Sequence, residues 1–320
     1  MNTVLVTGGA GFIGSHTVKK LLDLGNRVVC VDNFNDYYSP DVKRHNASEF
    51  LGNLGSKLYV ADICDYLKLR EIFEKEKPDK VCHLAARAGV RSSIYDPLLY
   101  QDVNVKGTTN ILDLCVKCGV KKLVFASSSS VYGHTKKIPF REKDCTDKPI
   151  SPYAATKKSS ELMAHAYHHL HGLKCIGLRF FTVYGPSGRP DMAPFLFTHA
   201  ISSGKSIKQF GNGSSQRDYT YIDDVVDGIA SALDADLDFE IINIGNNKPV
   251  KLKNFIKLIE ELVGKKAEII QEPMPQGDVP ITYADITKAK ELLNYSPETT
   301  IEEGMEKFVS WYKDHHQLYL

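Results

Sequence analysis

Residues 3–14 read Thr-Val-Leu-Val-Thr-Gly-Gly-Ala-Gly-Phe-Ile-Gly, and this stretch decides the fold. Its first apolar residues, Val4 to Val6, are typical of a buried parallel strand. The glycines that follow permit a tight turn, let the backbone approach a pyrophosphate, and allow a helix to pack closely on the strand. A pyrophosphate then lies at the helix N-terminus. The stretch therefore predicts a dinucleotide site that is contacted by Gly8, Gly11, Phe12, Ile13 and Gly14.

Short apolar runs alternate with amphipathic segments along the chain. We predict strands over 4–6, 28–31, 58–60, 81–84, 123–126, 174–179 and 241–244, and helices over 12–24, 102–118, 151–171, 223–233, 285–293 and 301–315. This alternation indicates an α/β fold with a doubly wound parallel sheet, the Rossmann arrangement. After Phe181, prolines and glycines separate shorter elements, which predicts a smaller mixed C-terminal substrate-binding lobe. The predicted dinucleotide domain covers 1–181 and about 223–248, and the lobe covers 182–222 and 249–320.

Acidic and small residues follow the predicted strands where the dinucleotide would lie. Asp32 ends the second strand and is the expected acceptor for the adenosine ribose hydroxyls. It would repel a 2′-phosphate, and no arginine follows it directly, so NAD is favoured over NADP. Carboxyl ends of parallel strands share one edge of the sheet. We therefore expect further contacts from Asn33, Asp62, Ile63, Leu84, Ala85 and Ala86.

Tyr153 and Lys157 lie four residues apart on a predicted helix, so both side chains share one face. An ammonium held near a phenol favours the phenolate, so we expect the pKa of Tyr153 to lie below its usual value of about 10. Such a phenolate could take a hydroxyl proton near neutral pH. The fifth strand ends in Ser127 to Ser130, and a serine there could bind a substrate hydroxyl and relay its proton.

Charge and cysteine usage exclude several classes of partner. The net charge is +1 and no basic block occurs, so neither nucleic acid nor a membrane is an expected partner. Seven scattered cysteines suit a reducing compartment, and we expect a cytoplasmic protein. The pair Cys115 and Cys118 is read as structural thiols in preference to a redox or metal site. The histidines between His165 and His171 likewise favour a solvated or interface surface, so no metal is predicted.

Several motifs together resemble those of the extended short-chain dehydrogenase/reductase family of nucleotide-sugar epimerases and dehydratases. They are TGGAGFIG, HLAA, SSSSVYG, YAATK, RFFTVYGP and RDYTYIDD, and they extend over essentially the whole chain. The resemblance implies that Ser128 is the catalytic hydroxyl, that Tyr153 is the base, and that Lys157 also holds the nicotinamide ribose. It also implies a homodimer that packs through the Tyr153 helix and the helix near 96–118.

Within that family, the stretches 35–38, 88–91 and 179–192 look most like UDP-glucuronate 4-epimerases. The implied reaction is reversible C4 epimerisation of UDP-glucuronate to UDP-galacturonate through a 4-keto intermediate, with transient hydride transfer to bound NAD. By this resemblance the sugar carboxylate is surrounded by Ser129, Ser130, Thr182 and Arg189. Arg217 matches a diphosphate-binding arginine and Asp278 a C-terminal Gly-Asp motif. The arginine that often precedes that motif is absent, and the residues in its place are Met274, Pro275 and Gln276.

Two other functions stay open. A UDP-glucose or UDP-N-acetylglucosamine 4-epimerase would use the same machinery on a neutral sugar. A catalytically inactive dinucleotide-binding protein would keep the fold, although such proteins usually lose the tyrosine or lysine present here. A sugar 4,6-dehydratase is disfavoured, because Ser129 and Ser130 stand where it needs an acidic pair.

Overall fold

The computed structural model describes residues 1–274 and 278–319. The described residues exclude 275–277. These positions include part of the segment in which the family's arginine is absent, and the glycine of the Gly-Asp motif. The strands are β1 Thr3–Thr7, β2 Arg27–Asp32, β3 Ser56–Val60, β4 Lys80–His83, β5 Lys122–Ser128, β6 Lys174–Phe180, β7 Thr182–Tyr184, β8 Ile207–Phe210, β9 Gln216–Tyr221, β10 Phe239–Ile244, β11 Pro249–Lys251 and β12 Ile269–Glu272. The α-helices are α1 Phe12–Asp23, α2 Pro40–Leu51, α3 Tyr66–Glu76, α4 Val90–Tyr95, α5 Pro97–Tyr100, α6 Gly107–Lys117, α7 Pro152–His171, α8 Ala193–Ser202, α9 Ile222–Asp234, α10 Leu252–Val263, α11 Thr287–Leu293 and α12 Ile301–His315.

A seven-stranded parallel sheet forms the centre of the molecule, in the order β10-β6-β5-β4-β1-β2-β3. Its strands are almost continuously apolar because helices cover both faces. Val4 and Val6 belong to one buried cluster and Leu5 to the other, as side-chain alternation along a strand requires. The predicted doubly wound sheet is confirmed. The strand order reverses beside β1, the position where open α/β sheets bind ligands at their carboxyl edge.

The turn between β1 and α1 is built from close backbone contacts. Gly8 has φ +72°, a left-handed conformation that a side chain disfavours, and its N–H donates to Val31 O over 2.7 Å. A Cβ on Gly14 would lie 2.0 Å from Gly8 O and 2.8 Å from Gly9 Cα. Glycine at position 14 therefore lets α1 start directly against the turn, with its N-terminus at the sheet edge.

Two smaller sheets complete the fold, β11-β9-β7 and β12-β8, and they pack with α8, α10 and α12 around a third buried cluster. These sheets contain both parallel and antiparallel pairs. The predicted small mixed lobe is thus present. None of the helices in residues 1–274 and 278–319 is long and apolar enough to span a bilayer.

Three predicted segments differ from the structure. The helix predicted over 102–118 is a π-helix, Gln101–Lys106, continued by α6. Its Asn104 carbonyl accepts hydrogen bonds from the Thr108 and Ser160 hydroxyls, which compete with the regular helical ladder. The helix predicted from Asp285 begins at Thr287, because the Asp285 carboxylate accepts from Thr287 N and holds the chain outside the helix. The fourth strand ends at His83, one residue before the predicted boundary.

Candidate active site

A cleft of about 970 Å³ opens at the carboxyl edge of the main sheet, beside the glycine turn; we call it the glycine-turn cavity. Its walls contain every predicted dinucleotide contact except Tyr153 and Lys157. These residues are Gly8, Gly11, Phe12, Ile13, Gly14, Asp32, Asn33, Asp62, Ile63, Leu84, Ala85 and Ala86. These residues, each predicted from its position just after a strand, therefore lie together in one cleft.

The glycine-turn cavity fits a dinucleotide. The Gly8 Cα lies against the 84–85 backbone, so closely that a Cβ would be 2.7 Å from Ala85 N. Across the cavity, Asp32 is buried, and its two oxygens accept from Phe34 N at 2.9 Å and Ala10 N at 3.1 Å. Each oxygen keeps a lone pair for a ribose hydroxyl. Burial raises the pKa of Asp32, and the nearby Lys43 ammonium opposes that rise.

Lys43 is a cavity residue that sequence reasoning did not identify. Its Nζ donates to Asn35 O over 2.6 Å and to Asn35 Oδ1 over 3.0 Å. Those bonds fold the loop after β2 over the cavity. A lysine eleven residues after the acidic residue carries no local pattern that would reveal this contact.

Ser128, Tyr153 and Lys157 meet where β5 ends and α7 begins. Ser151 caps α7 by accepting from Ala154 N at 3.1 Å, and Pro152 occupies the first turn, so the helix starts just before Tyr153. The Tyr153 side chain is half-buried and packs edge-on against Tyr100, with ring centres 6.2 Å apart, and the Ser128 hydroxyl is near enough to lower the pKa of Tyr153. Lys157 Nζ donates to Ala126 O over 2.7 Å and lies 6.0 Å from the Tyr153 ring centre. The three predicted catalytic residues are therefore close together.

The predicted effect of Lys157 on the pKa of Tyr153 is wrong for this structure. Burial raises the pKa of Tyr153, and this effect outweighs the Ser128 hydroxyl and the Arg189 cation, which both lower it. Burial also lowers the pKa of Lys157 to about 8, so its charged form is itself disfavoured. One turn of helix brings the two residues together. The sequence spacing gives no information about burial, which disfavours both the phenolate and the ammonium.

A second cleft, of about 750 Å³, lies on the other side of the Ser128 position; we call it the serine cavity. Five of the six predicted substrate-binding residues line it. They are Ser129, Ser130, Thr182, Arg217 and Asp278. The end of β5, which carries Ser128, lies between the two clefts, because Ala126 lines the glycine-turn cavity and Ser129 lines the serine cavity.

Arg189 is the exception among the predicted substrate-binding residues. It lines the glycine-turn cavity, not the serine cavity. Its Nε donates to Asp191 Oδ1 over 2.9 Å and its guanidinium lies 5.3 Å from the Tyr37 ring centre. Its predicted place beside Thr182 at the sugar carboxylate stays a prediction. The Asp191 carboxylate, two residues along the chain, pairs with the Arg189 guanidinium.

Basic residues converge at the far end of the serine cavity. The Arg217 guanidinium pairs with the Asp278 carboxylate, whose other oxygen lies 3.7 Å from Arg91 Nη2. Arg91 also lies over the Phe210 ring, 4.4 Å from its centre. Sequence reasoning missed Arg91 as a contact, although it lies in the 88–91 stretch that carries the family resemblance. It brings a second guanidinium to the cavity from a different part of the chain.

Asn104 is a third residue that sequence reasoning missed, and it holds together two segments of the site. Its amide exchanges two hydrogen bonds with the Arg87 backbone, at 2.8 and 3.0 Å, and Nδ2 also donates to Thr156 Oγ1 over 3.0 Å. It thereby ties the loop after β4 to the helix that carries Tyr153. A lone asparagine within a helical pattern gives no sign of this role.

Neither the cysteine pair nor the histidine cluster has the arrangement of a metal site. Within residues 1–274 and 278–319, no group of three or more His, Cys, Asp or Glu side chains could hold a metal ion. Cys115 is buried, Cys118 follows the last residue of α6, and both are free thiols. His168 bonds the Leu173 carbonyl, and His165 packs edge-on against Phe239.

A doubly wound parallel sheet with a glycine turn at its strand-order reversal is the architecture of dinucleotide-binding α/β proteins. Residues 4–245 match the model of the NAD dependent epimerase/dehydratase family, and the chain belongs to that family. A UDP-glucuronate 4-epimerase of Thermodesulfobacterium geofontis is 47% identical over 99% of this chain and 98% of its own length.

Solved structures agree in fold. A UDP-glucuronic acid 4-epimerase from Bacillus cereus, in complex with UDP-glucuronic acid and NAD, is 35% identical and superposes with a TM-score of 0.93 over 98% of this chain and 99% of its own. A UDP-glucose 4-epimerase from Thermotoga maritima, with UDP-glucose, is 34% identical with a TM-score of 0.91, again over 98% and 99%.

Proposed function

We propose that this protein is an NAD-dependent UDP-sugar 4-epimerase that interconverts UDP-glucuronate and UDP-galacturonate. One observation carries the proposal: the end of β5, where Ser128 lies and where Lys157 bonds the Ala126 carbonyl, separates a cleft lined by the glycine turn and Asp32 from a second cleft that is rich in hydroxyls and arginines. The UDP-glucuronate 4-epimerase relatives agree with this reaction. We also propose that residues 1–181 and about 223–248 hold the dinucleotide, and that 182–222 and 249–320 hold the UDP-sugar, with each cleft borrowing residues from the other part.

The glycine-turn cavity would hold NAD, with the α1 N-terminus available to its pyrophosphate and Asp32 to its adenosine ribose. When bound, it supplies a hydride acceptor and donor at its nicotinamide ring. Lys157, already held by Ala126 O at the edge of this cavity, turns its remaining donors to the nicotinamide ribose. The Asp32 carboxylate would repel a 2′-phosphate, which favours NAD over NADP.

Tyr153 and Ser128 move the proton at the sugar 4-hydroxyl. Tyr153 acts in its phenolate form, which burial disfavours in this structure, and takes that proton as the C4 hydride leaves, so that a 4-keto sugar results. The Ser128 hydroxyl assists as a relay: it accepts the 4-hydroxyl proton as it gives its own proton to Tyr153. After the sugar turns over, the hydride returns to the opposite face of C4, and Tyr153 returns the proton. The net change is inversion at C4 with no net redox change.

Hydroxyls of the serine cavity hold the sugar carboxylate. A 4-keto uronate is a β-keto acid and can lose CO₂, so the carboxylate must be fixed in an orientation that disfavours cleavage of its carbon–carbon bond. Ser129, Ser130 and Thr182 line the cavity beside Ser128 and supply neutral donors for this task. Arg217 and Arg91 bind the diphosphate, with Asp278 fixing both guanidinium groups.

The runner-up is a UDP-glucose or UDP-N-acetylglucosamine 4-epimerase, and the similarity to the Thermotoga maritima enzyme favours it. The Thr182→Val variant distinguishes the proposed function from the runner-up, because it removes one hydroxyl at nearly constant volume. We expect kcat/KM for UDP-glucuronate to fall about tenfold or more, the usual effect of losing a hydrogen bond to a charged group, while kcat/KM for UDP-glucose is little changed. The matched control is Thr198→Val, because Thr198 is buried and its hydroxyl has no partner in the described residues.

Two outcomes would contradict the proposal. Faster turnover of UDP-glucose than of UDP-glucuronate by the wild type would favour the runner-up. Absence of turnover of every UDP-sugar, with NAD bound, would favour a catalytically inactive dinucleotide-binding protein.

We further propose that the protein is a cytoplasmic homodimer. Apolar side chains on α4, α5 and α7 are exposed in the single chain, among them Ile94, Tyr95, Leu98 and Leu162. A second copy packing on α7 would cover them. Light scattering should give twice the chain mass of 35.7 kDa at micromolar concentration, and a monomer would refute the dimer.

A further inference from the structure

A buried ion pair joins the helix of Tyr153 to β6, the strand beside β5. Arg179, on β6, donates from Nε to Glu161 Oε1 and from Nη2 to Glu161 Oε2, each over 2.8 Å. Only 2% of Arg179 and 4% of Glu161 is exposed to solvent. A two-pronged arginine–carboxylate pair fixes direction as well as distance, so it holds α7 in one orientation on the sheet.

Ser127 extends this ion pair to the end of β5. Its hydroxyl donates to Glu161 Oε1 over 2.6 Å, and the residue is buried. Ser127 and Arg179 are register partners in the parallel β5–β6 pair, so both side chains point from the same face of the sheet toward α7. The next residue along the strand is Ser128, the predicted catalytic hydroxyl. The partner of Glu161 on β5 is therefore the immediate neighbour of the catalytic serine.

The same face of α7 carries the other two predicted catalytic residues. Tyr153, Lys157 and Glu161 follow one another at four-residue intervals. Lys157 Nζ donates to Ala126 O over 2.7 Å, one residue before Ser127. Two consecutive residues of β5 are thus bonded to α7, the first through its carbonyl group and the second through its side chain. Together these bonds set the position of the strand end relative to the helix.

Arg179 also supports the segment that follows Ser128. Its guanidinium lies 4.8 Å from the ring centre of Tyr132, which belongs to the 3₁₀-helix Ser129–Tyr132. The first two residues of this short helix line the serine cavity. The ion pair therefore supports the chain on both sides of Ser128, through Ser127 before it and through Tyr132 after it.

Glu161 is ionised at neutral pH. Burial acts to raise the pKa of its carboxyl group, but the hydrogen bonds and the charge of Arg179 outweigh burial and hold the pKa below its usual value. Lys158 Nζ lies 3.6 Å from Oε2 and adds a second, partly exposed cation. In the ionised form both oxygens accept, as the donors from Arg179 and Ser127 require.

We propose that Glu161 is a positioning residue of the epimerisation, which acts through Ser127 to hold the Ser128 hydroxyl where it can exchange a proton with Tyr153. Neither Glu161 nor Ser127 is among the described residues that line the two clefts. Their effect on the reaction is therefore one of alignment, and a misplacement of about 1 Å can cost about 10²-fold in rate. This inference rests on the proposed function, because it requires Ser128 and Tyr153 to act on the sugar.

Ser127→Ala is the variant that tests this inference. It removes the bond between Glu161 and β5 but leaves no charge unpaired, because Oε1 still accepts from Arg179 Nε. Glu161→Gln is less informative, since its amide would present a donor to the buried guanidinium and destabilise the fold. The matched control is Ser159→Ala. The Ser159 hydroxyl donates to Ala155 O over 3.0 Å, so its loss removes a serine hydroxyl from the same helix without removing a contact with β5.

We expect Ser127→Ala to lower kcat for UDP-glucuronate about tenfold, because a displacement of Ser128 by less than 1 Å misaligns the proton transfer. KM and the dissociation constant of NAD should change less than about twofold, since the glycine turn and the lobe are untouched. Ser159→Ala should match the wild type in all three constants. Both variants should unfold within about 0.5 M urea of the wild type.

Hydrogen exchange followed by mass spectrometry measures the positioning itself. Peptides that cover residues 126–132 should exchange at least about threefold faster in Ser127→Ala, and at the wild-type rate in Ser159→Ala. An unchanged kcat in Ser127→Ala would overturn the inference. So would a lower kcat accompanied by equally weakened NAD binding, because that pattern indicates a general structural role for Glu161.

The wild type separates this result from the proposed function. If it inverts C4 of UDP-glucose and not of UDP-glucuronate, the proposed substrate is wrong, and the same comparison of kcat is made with UDP-glucose. Absence of turnover of both sugars by the NAD-loaded wild type would refute the proposed function and this inference together. Turnover by the wild type with an unchanged kcat in Ser127→Ala would refute this inference alone.

Discussion

Replacing Gly14 by alanine would test the contact on which the dinucleotide site is built. The new Cβ would lie 2.0 Å from Gly8 O, 2.8 Å from Gly8 C and 2.8 Å from Gly9 Cα. All three are backbone atoms that cannot rotate away. To reach an ordinary contact of 3.4 Å, the start of α1 must move by about 1.4 Å from the turn. We expect a loss of about 1–3 kcal/mol in the free energy of unfolding, as for other overpacked sites.

The same displacement should weaken NAD binding. The pyrophosphate is held by backbone N–H groups at the α1 N-terminus, and a shift of this size breaks their alignment with it. We expect the dissociation constant of NAD to rise at least about tenfold in calorimetric titration. Urea unfolding, followed by circular dichroism, measures the stability.

Gly52→Ala is the matched control. Gly52 has φ −74°, which any residue adopts, and a Cβ there would meet nothing within 4 Å. This variant should bind NAD as the wild type does and unfold within about 0.5 kcal/mol of it. If Gly14→Ala matched the control in both stability and NAD affinity, the proposed geometry of the turn would be refuted.

Two further substitutions test the chemistry and the frame beneath it. Tyr153→Phe should keep NAD affinity within about threefold but lose at least about 10²-fold in turnover, the usual contribution of a general base, and unchanged turnover would refute the role of Tyr153. Glu161→Ala should cost about 3–5 kcal/mol in urea unfolding, because it leaves the buried Arg179 guanidinium without its two-pronged partner. The exposed pair of Arg70 with Glu74 provides the control, since Glu74→Ala should cost less than about 1 kcal/mol, and equal costs would contradict the assignment.

Most of the fold and of the glycine-turn cavity could be predicted because the signals are local. The apolar runs are long enough to mark buried strands, and side chains that directly follow those strands must meet at one edge of the sheet. Asp32, Asp62 and Leu84 were located in this way, and all three line one cleft. The end of β5 located the serine run 127–130, and the family resemblance singled out Ser128 within it.

The errors concern interactions between distant parts of the chain. Arg189 bonds Tyr37, 152 residues away, and no periodicity reports that contact. Arg91 and Asp278 meet only in the folded lobe. The pKa of Tyr153 depends on desolvation, which a four-residue spacing cannot express, so the predicted lowering had the wrong sign. Within the π-helix at Gln101–Lys106, the Asn104 carbonyl accepts from Ser160 on α7, a contact that the local pattern cannot report, so the segment read as an ordinary helix.

The central claim is that the hydride removed from C4 returns to the same carbon on its other face. Incubating the NAD-loaded protein with UDP-glucuronate deuterated at C4, in ordinary water, tests this by NMR. We predict UDP-galacturonate that retains its deuterium at C4, in equilibrium with the starting sugar. Formation of a UDP-pentose, loss of the deuterium to solvent, or absence of any C4 inversion would contradict the account.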